Sequence, residues 1–191
     1  ETVARLMHDN QNLYAFVHCR EVNLVEARDQ EKFNRQDAPV WGNGCVEFFL
    51  DVRNDGRAYY QFVVDIHGSA ADLLHHDPDG PQAALDWNGV WHHAVGADAD
   101  GWTVEVAIPW RTLNVTPGDR RLGLNISRVR RISPFERGTL AAGTPSISDL
   151  ARFPVFEPVR IEASDVTAEI QPGAVFLGKN RMRLRVRNHA E

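Results

Sequence analysis

The strongest constraint on this chain is a period of two. "LYAFVHC" from Leu13, "CVEFFLD" from Cys45, "AYYQFVVDI" from Ala58, "GWTVEVAI" from Gly101 and "RLGLNISRV" from Arg121 alternate in character and are rich in aromatic and β-branched residues. Asp, Gly and Asn clusters separate them, as turns separate strands. Several short strands so spaced predict an all-β fold, an antiparallel β-sandwich of jelly-roll or immunoglobulin-like kind with little helix. Helical patterning is confined to "PWRTL" (109–113), one turn with Pro at its start, and "EARDQEKF" near Glu26.

Alternation also assigns faces, because successive strand residues point to opposite sides of a sheet. Val46, Phe48 and Leu50 share the core face, as do Tyr60, Phe62, Val64 and Ile66, and Leu122, Leu124 and Ile126. Glu47, Gln61, Asn125 and Ser127 are left on the outer face. Polar residues on an outer face are ordinary for a half-exposed sheet, so their recurrence alone does not make a site.

At 191 residues and 43% hydrophobic content the chain buries one main core with a short appended piece. The texture changes after "RFPVFEPVRIE", which sets a sandwich over residues 1–162 and a hairpin, or the start of a following β domain, over 163–191. In that tail Met182, Leu184 and Val186 alternate with arginines. A net charge of -5, with 21 basic and 26 acidic residues, shows no electrostatic footprint for nucleic acid. No apolar run approaches the roughly 20 residues that span a bilayer, so no membrane partner is expected. The N-terminus, Glu1, has no signal-peptide pattern, and a targeting segment removed upstream would leave none to read. Cys19 and Cys45 both fall on expected strands; buried free thiols and a disulfide between them both stay open.

The other chemistries are thin. His75-His76 and His92-His93 are adjacent on strands and so point to opposite faces, a poor chelate. A glycosidase pair of Glu47 with Asp65 or Glu105 has nothing to set its separation, and both partners read as solvent-facing strand residues.

In order, "HDNQNLYAFVHCRE", "VWGNGCVEFFLD", "YYQFVVD", "GWTVEVAIPWRTL", "LGLNISR" and "SISDLARF" resemble a family 9 carbohydrate-binding module, within the DOMON-like β-sandwich superfamily, over roughly residues 3–161. The family's usual opening strands would lie upstream of Thr2. The resemblance implies a non-catalytic module that binds a polysaccharide or oligosaccharide and tethers a larger carbohydrate-active protein, such as a glycoside hydrolase, through neighbouring domains. It implies a secreted, periplasmic or cell-surface setting. By motif position it makes Trp41 the aromatic platform and Glu47, Gln61, Asn125 and Ser127 the hydroxyl-binding residues. A sugar's CH-rich face and equatorial hydroxyls call for that combination. It also implies a structural calcium, for which Asp51, Asn54 and Asp55 of "DVRNDG" offer oxygen ligands, although Asn-Asp-Gly is equally good turn chemistry. Two positions depart from the family pattern. Val63 stands where the sugar binders have an arginine, and Ile147 where a second tryptophan would fall; Phe135, Trp87 and Trp91 are the aromatics left to supply another wall. The alternatives are a structural or interdomain accessory with a degenerate sugar site and, more distantly, a haem-binding electron-transfer domain using Met7 or Met182 with His8.

Overall fold

The computed structural model describes residues 1–33, 37–76, 83–84, 87–141 and 148–161. Over these the chain forms β1 (Thr2–His8), β2 (Asn12–Arg20), a short helix α1 (Leu24–Arg28), β3 (Cys45–Asp51), β4 (Ala58–Asp65) and β5 (Ala70–His76). Then follow β6 (Ala83–Ala84), β7 (His92–Ala97), β8 (Gly101–Pro109), β9 (Gly118–Arg130), β10 (Glu136–Thr139) and β11 (Val155–Ile161). Single 3-10 turns, Val40–Gly42 and Leu150–Arg152, precede β3 and β11. The tail 163–191 with Met182, and Ile147, lie outside the described residues. Among the described residues no helix is long and apolar enough to cross a membrane.

The strands build two antiparallel sheets, one in the order β1-β2-β8-β7 and one in the order β10-β9-β3-β4-β5-β6, with β11 added to β9. Strand β9, at 13 residues, is long enough to pair β11 along its first half and β10 along its last four residues on one edge. Its other edge carries β3, which pairs β4 in turn.

The apolar faces of the two sheets meet. Leu13, Ala15, Val17 and Cys19 of β2 and Trp102, Val104, Val106 and Ile108 of β8 pack in one core with Val46, Phe48 and Leu50 of β3, and with residues of β4 and β9. The inward faces that alternation predicts on β3, β4 and β9 are those observed, with Phe62, Val64, Ile66, Leu122, Leu124 and Ile126 in the core and Tyr60 packed against it. Phe48 stands directly opposite Phe62 on one side and Ile126 on the other, so the buried stripe crosses three strands without a break. Each such side chain contributes roughly 2 kcal/mol of burial free energy.

Several expectations sharpen or change. "PWRTL" is the single turn expected and goes no further: Pro109 ends β8, and the amides of Thr112 and Leu113 both turn back to its carbonyl. Cys19 and Cys45 are free, because Cys19 faces the inter-sheet core while Cys45 joins an apolar cluster on the other side of its sheet. Burial pushes the Cys19 thiol up to about 12 and Cys45 higher still. Asp65 is not solvent-facing but fully buried. Its Oδ1 accepts the amides of His67 and Ser69 (2.9 and 2.8 Å), and its Oδ2 accepts Asn43 Nδ2 (2.8 Å), so it closes the β4–β5 turn. Glu105, by contrast, is exposed on β8.

Candidate functional site

The outer face of the large sheet carries the polar residues in register. Ser127 of β9 and Val63 of β4 flank Glu47 of β3 as its direct cross-strand partners, and Asn125 and Gln61 flank Phe49 in the same way. Cross-strand partners point to the same side, so Glu47, Gln61, Asn125 and Ser127 form one patch, as alternation predicts.

The patch is not open as a half-exposed sheet would be. Glu47 is 3% exposed and Asn125 and Ser127 are fully buried. Two apolar clusters account for this. Ala38 and Val40, with half-buried Phe33, pack over Cys45, Val63, Ala71 and Val129. Leu150 and Phe153 pack over Phe49 and Tyr59. Strand β10 adds a third cover: Thr139 Oγ1 and the Ala141 amide both donate to Asn125 Oδ1, at 2.8 and 2.9 Å. The Asn125 carbonyl therefore holds the cover in place.

Glu47 is differently engaged. Gln61 Nε2 donates to its Oε2 at 2.9 Å, and Gln61 Oε1 in turn lies 2.8 Å from His75 Nε2 on the next strand. The imidazole stacks flat on Tyr59, its cross-strand partner, with ring centres 4.2 Å apart and planes 7° from parallel. Among the described residues, Glu47 Oε1 and Ser127 Oγ are buried with no hydrogen-bond partner. Leaving a buried carboxylate oxygen and a buried hydroxyl without partners is costly, at roughly 1–3 kcal/mol each, and the two suit a ligand that brings hydroxyl groups. Burial raises the Glu47 carboxyl above its ordinary value, against the pull of Arg137, the Gln61 hydrogen bond and Arg131. Arg137 stands opposite Val129 on β10 and so shares this face.

Trp41 sits on the 3-10 turn that leads into β3, with its side chain 37% exposed. Arg131, one residue past β9, donates Nε and Nη2 to the Trp41 carbonyl (3.1 and 2.8 Å), and its guanidinium lies 5.2 Å from the centre of the Phe135 ring. Phe135 is 56% exposed. Arg131 thus ties the two exposed aromatics to one rim, and its charge is felt at Glu47. Trp87 and Trp91 are elsewhere: both pack edge-on against Phe62 of the inter-sheet core, with ring centres 6.0 and 5.0 Å away.

At the β3–β4 turn, Asp51 is buried and its two oxygens accept the amides of Arg53 (3.2 Å) and Gly56 (2.8 Å), while Asp55 accepts that of Arg57 (3.0 Å). Asn54 takes a left-handed backbone, φ 50°, and its Oδ1 lies where a side chain at Gly123 would press, 3.2 Å from an ideal Cβ. The donor set is right in kind for calcium but supplies three side chains against the six to eight oxygens the ion takes. Among the described residues no three His, Cys, Asp or Glu side chains come together to hold a metal. Met7 is largely exposed, and His8 packs edge-on to Trp110 and Phe156.

His75, Tyr59, Arg131, Arg137 and Thr139 were not singled out from sequence for this patch. Only His75 left a usable signal, since it shares the outward parity of Ala71 and Leu73 on β5 and faces Tyr59.

The chain is similar to three solved structures. One is a protein from Bacteroides uniformis provisionally named carbohydrate-binding (TM-score 0.62, 15% identity, 81% of this chain and 77% of that one). The others are of a family 9 carbohydrate-binding module from Caldicellulosiruptor kristjanssonii, with cellotriose (TM-score 0.58, 17% identity) and with glucose (0.54, 18%), each covering 90% of this chain and 82% of that one. At these identities the likeness carries the fold. No curated protein sequence matches the chain significantly. Residues 1–130 match the model of the carbohydrate family 9 binding domain-like family, and with that match over most of its length the chain belongs to this family.

Proposed function

We propose that the chain is a non-catalytic module that binds the sugar units of an oligosaccharide or polysaccharide on the outer face of β3, β4 and β9. There it tethers a larger carbohydrate-active protein, in a secreted, periplasmic or cell-surface setting. The observation that carries this reading is a pair of buried polar atoms, the Glu47 Oε1 acceptor and the Ser127 hydroxyl, on directly paired residues of β3 and β9 and without a hydrogen-bond partner among the described residues. Trp41 supplies the apolar platform beside them, and Arg131 and Arg137 supply donors at the rim. The related module with cellotriose and glucose bound makes cello-oligosaccharides the first probes. Tethering needs only millimolar to micromolar affinity, because attachment raises the local concentration of substrate.

Calorimetric titration with cellotriose and affinity gels over plant and bacterial glycans test this. Binding that Trp41→Ala weakens about tenfold or more supports it. A flat titration with every glycan favours the structural accessory. That second reading has its own support: Val63 fills the arginine's place with buried apolar surface, and Asn125 is committed to the cover.

Calcium at the β3–β4 turn is part of the proposal, with backbone carbonyls needed to complete the ligand set of Asp51, Asn54 and Asp55. A melting temperature lowered by EDTA and restored by calcium supports it, and an unmoved one removes it.

A further inference from the structure

Glu47, Gln61 and His75 form a continuous hydrogen-bonded row across β3, β4 and β5, with links of 2.9 and 2.8 Å, and the row ends at Glu47 Oε1, which has no partner among the described residues. An amide in the middle of such a row can face only two ways. With Glu47 a carboxylate, Gln61 must turn its NH2 toward Glu47, since two acceptors cannot face each other. Its oxygen then faces His75, which must carry its proton on Nε2. A neutral imidazole meets that demand in one tautomer only.

The geometry points to His75 as a positioning residue for the ligand-facing oxygen of Glu47, through a Gln61 amide whose direction reverses when Glu47 takes up a proton. The steps balance. Glu47 gains one proton from solvent. Placed on Oε1, that proton would be a buried donor with no hydrogen-bond partner among the described residues. Placed on Oε2, it donates to Gln61 Oε1 once the amide has flipped. Gln61 Nε2 then donates to His75 Nε2, whose own proton has passed through solvent to Nδ1. No oxidant or further reactant is needed, and the imidazole carries one proton before and after the flip.

The surroundings suit this. Tyr59 holds the imidazole flat against its own ring, so His75 has little freedom to turn away from Gln61. Burial raises the Glu47 carboxyl and lowers the His75 imidazole, each change favouring the neutral form of its group. The charged and titratable groups around Glu47 are Arg137 on β10, Arg131 past the end of β9, Cys45 on β3, and Tyr59 on β4, with Asp65 farther along β4 beside Cys45. Ser127 and Asn125 of β9 add uncharged polar groups. Leu150 and Phe153 of the cover are apolar. The two arginines favour the carboxylate.

The consequence for the ligand rests on the sugar reading above: the free oxygen accepts a hydroxyl as an anion above the Glu47 midpoint and as a neutral carbonyl below it. Affinity for cellotriose then falls about tenfold on the acid side, as charge assistance is lost.

Nitrogen-15 shifts of the His75 ring and carbon-13 shifts of the Glu47 carboxyl, followed together from pH 3.5 to 8, test the row without any ligand. The expected result is one shared midpoint, with the proton on Nε2 above it and on Nδ1 below. In Gln61→Met the His75 tautomer no longer follows Glu47. A His75 that keeps one tautomer through the whole Glu47 titration, or that becomes an imidazolium before Glu47 takes up its proton, overturns the proposal, and so does an exchange that persists unchanged in Gln61→Met. The wild-type measurement decides alone if that variant does not fold. A shared midpoint without cellotriose binding at any pH supports the row and removes only the sugar reading.

Discussion

Among the described residues Glu47 has one donor at Oε2 and none at Oε1, whereas Glu21, buried about as deeply, holds Arg128 at 3.2 Å and Arg130 at 2.8 Å. Burial pushes both carboxyls up. At Glu21 the Arg130 hydrogen bond, the Asn23 amide and the two positive charges outweigh it, and the net direction is down. A carboxylate lowered by folding stabilises the protein above its unfolded value and loses that contribution as pH falls through the folded one. Glu21→Gln should therefore cost about 3 kcal/mol near neutrality, by leaving two largely buried guanidiniums without their anion. Its deficit in urea should shrink as pH falls below the ordinary carboxyl value and through the lowered folded one, where wild-type Glu21 also loses its charge. A deficit that is constant with pH would assign Glu21 a packing role. Glu47 has the opposite sign. Its raised value means that the ionised form costs stability, a cost that grows as pH rises through that value, and a hydroxyl-bearing ligand offsets it. Cellotriose binding should accordingly lower the Glu47 midpoint, read from its carboxyl carbon.

Strands β3, β4 and β9 were legible in the sequence because each lies mid-sheet, with one face in the inter-sheet core. The contrast between Phe48 and Glu47, or Leu124 and Asn125, reports that environment directly. Strands β1, β7 and β10 left almost no periodic trace, because few of their side chains are buried on either face. Alternation needs a buried side to alternate against. The orientation of Glu47, Gln61, Asn125 and Ser127 was legible for the same reason, but their burial was not. Ala38 and Val40 come from the loop ahead of β3 and Leu150 and Phe153 from a segment well beyond β9, and no strand periodicity announces what lies over a sheet. Phe48→Ala, in the stripe that crosses three strands, should cost about 4 kcal/mol in chemical denaturation. Phe153→Ala, in the cover, should cost less and raise amide exchange at Asn125 and Ala141 selectively. Equal losses at the two sites would mean that the cover is as integral to the fold as the core.

At the scale of the whole molecule, one sheet serves as scaffold and the other as scaffold and candidate binding face together. The row from His75 to Glu47 runs along the back of the strands whose fronts fill the core, so the site inherits the rigidity of the sandwich. Val63 and the covered floor distinguish this chain from the pattern it resembles, while Trp41, Arg131 and Phe135 at the rim keep aromatic and cationic groups in reach. The central claim is that sugar is held at Glu47 and Ser127. The most direct measurement is a cellotriose titration of nitrogen-15-labelled protein, mapping the amides that shift. The expected result is saturable shifts centred on Trp41, Glu47, Gln61 and Ser127, abolished in Glu47→Ala with the rest of the spectrum retained. Saturable shifts confined to the β1-β2-β8-β7 sheet, or shifts on this face that survive Glu47→Ala unchanged, would contradict it.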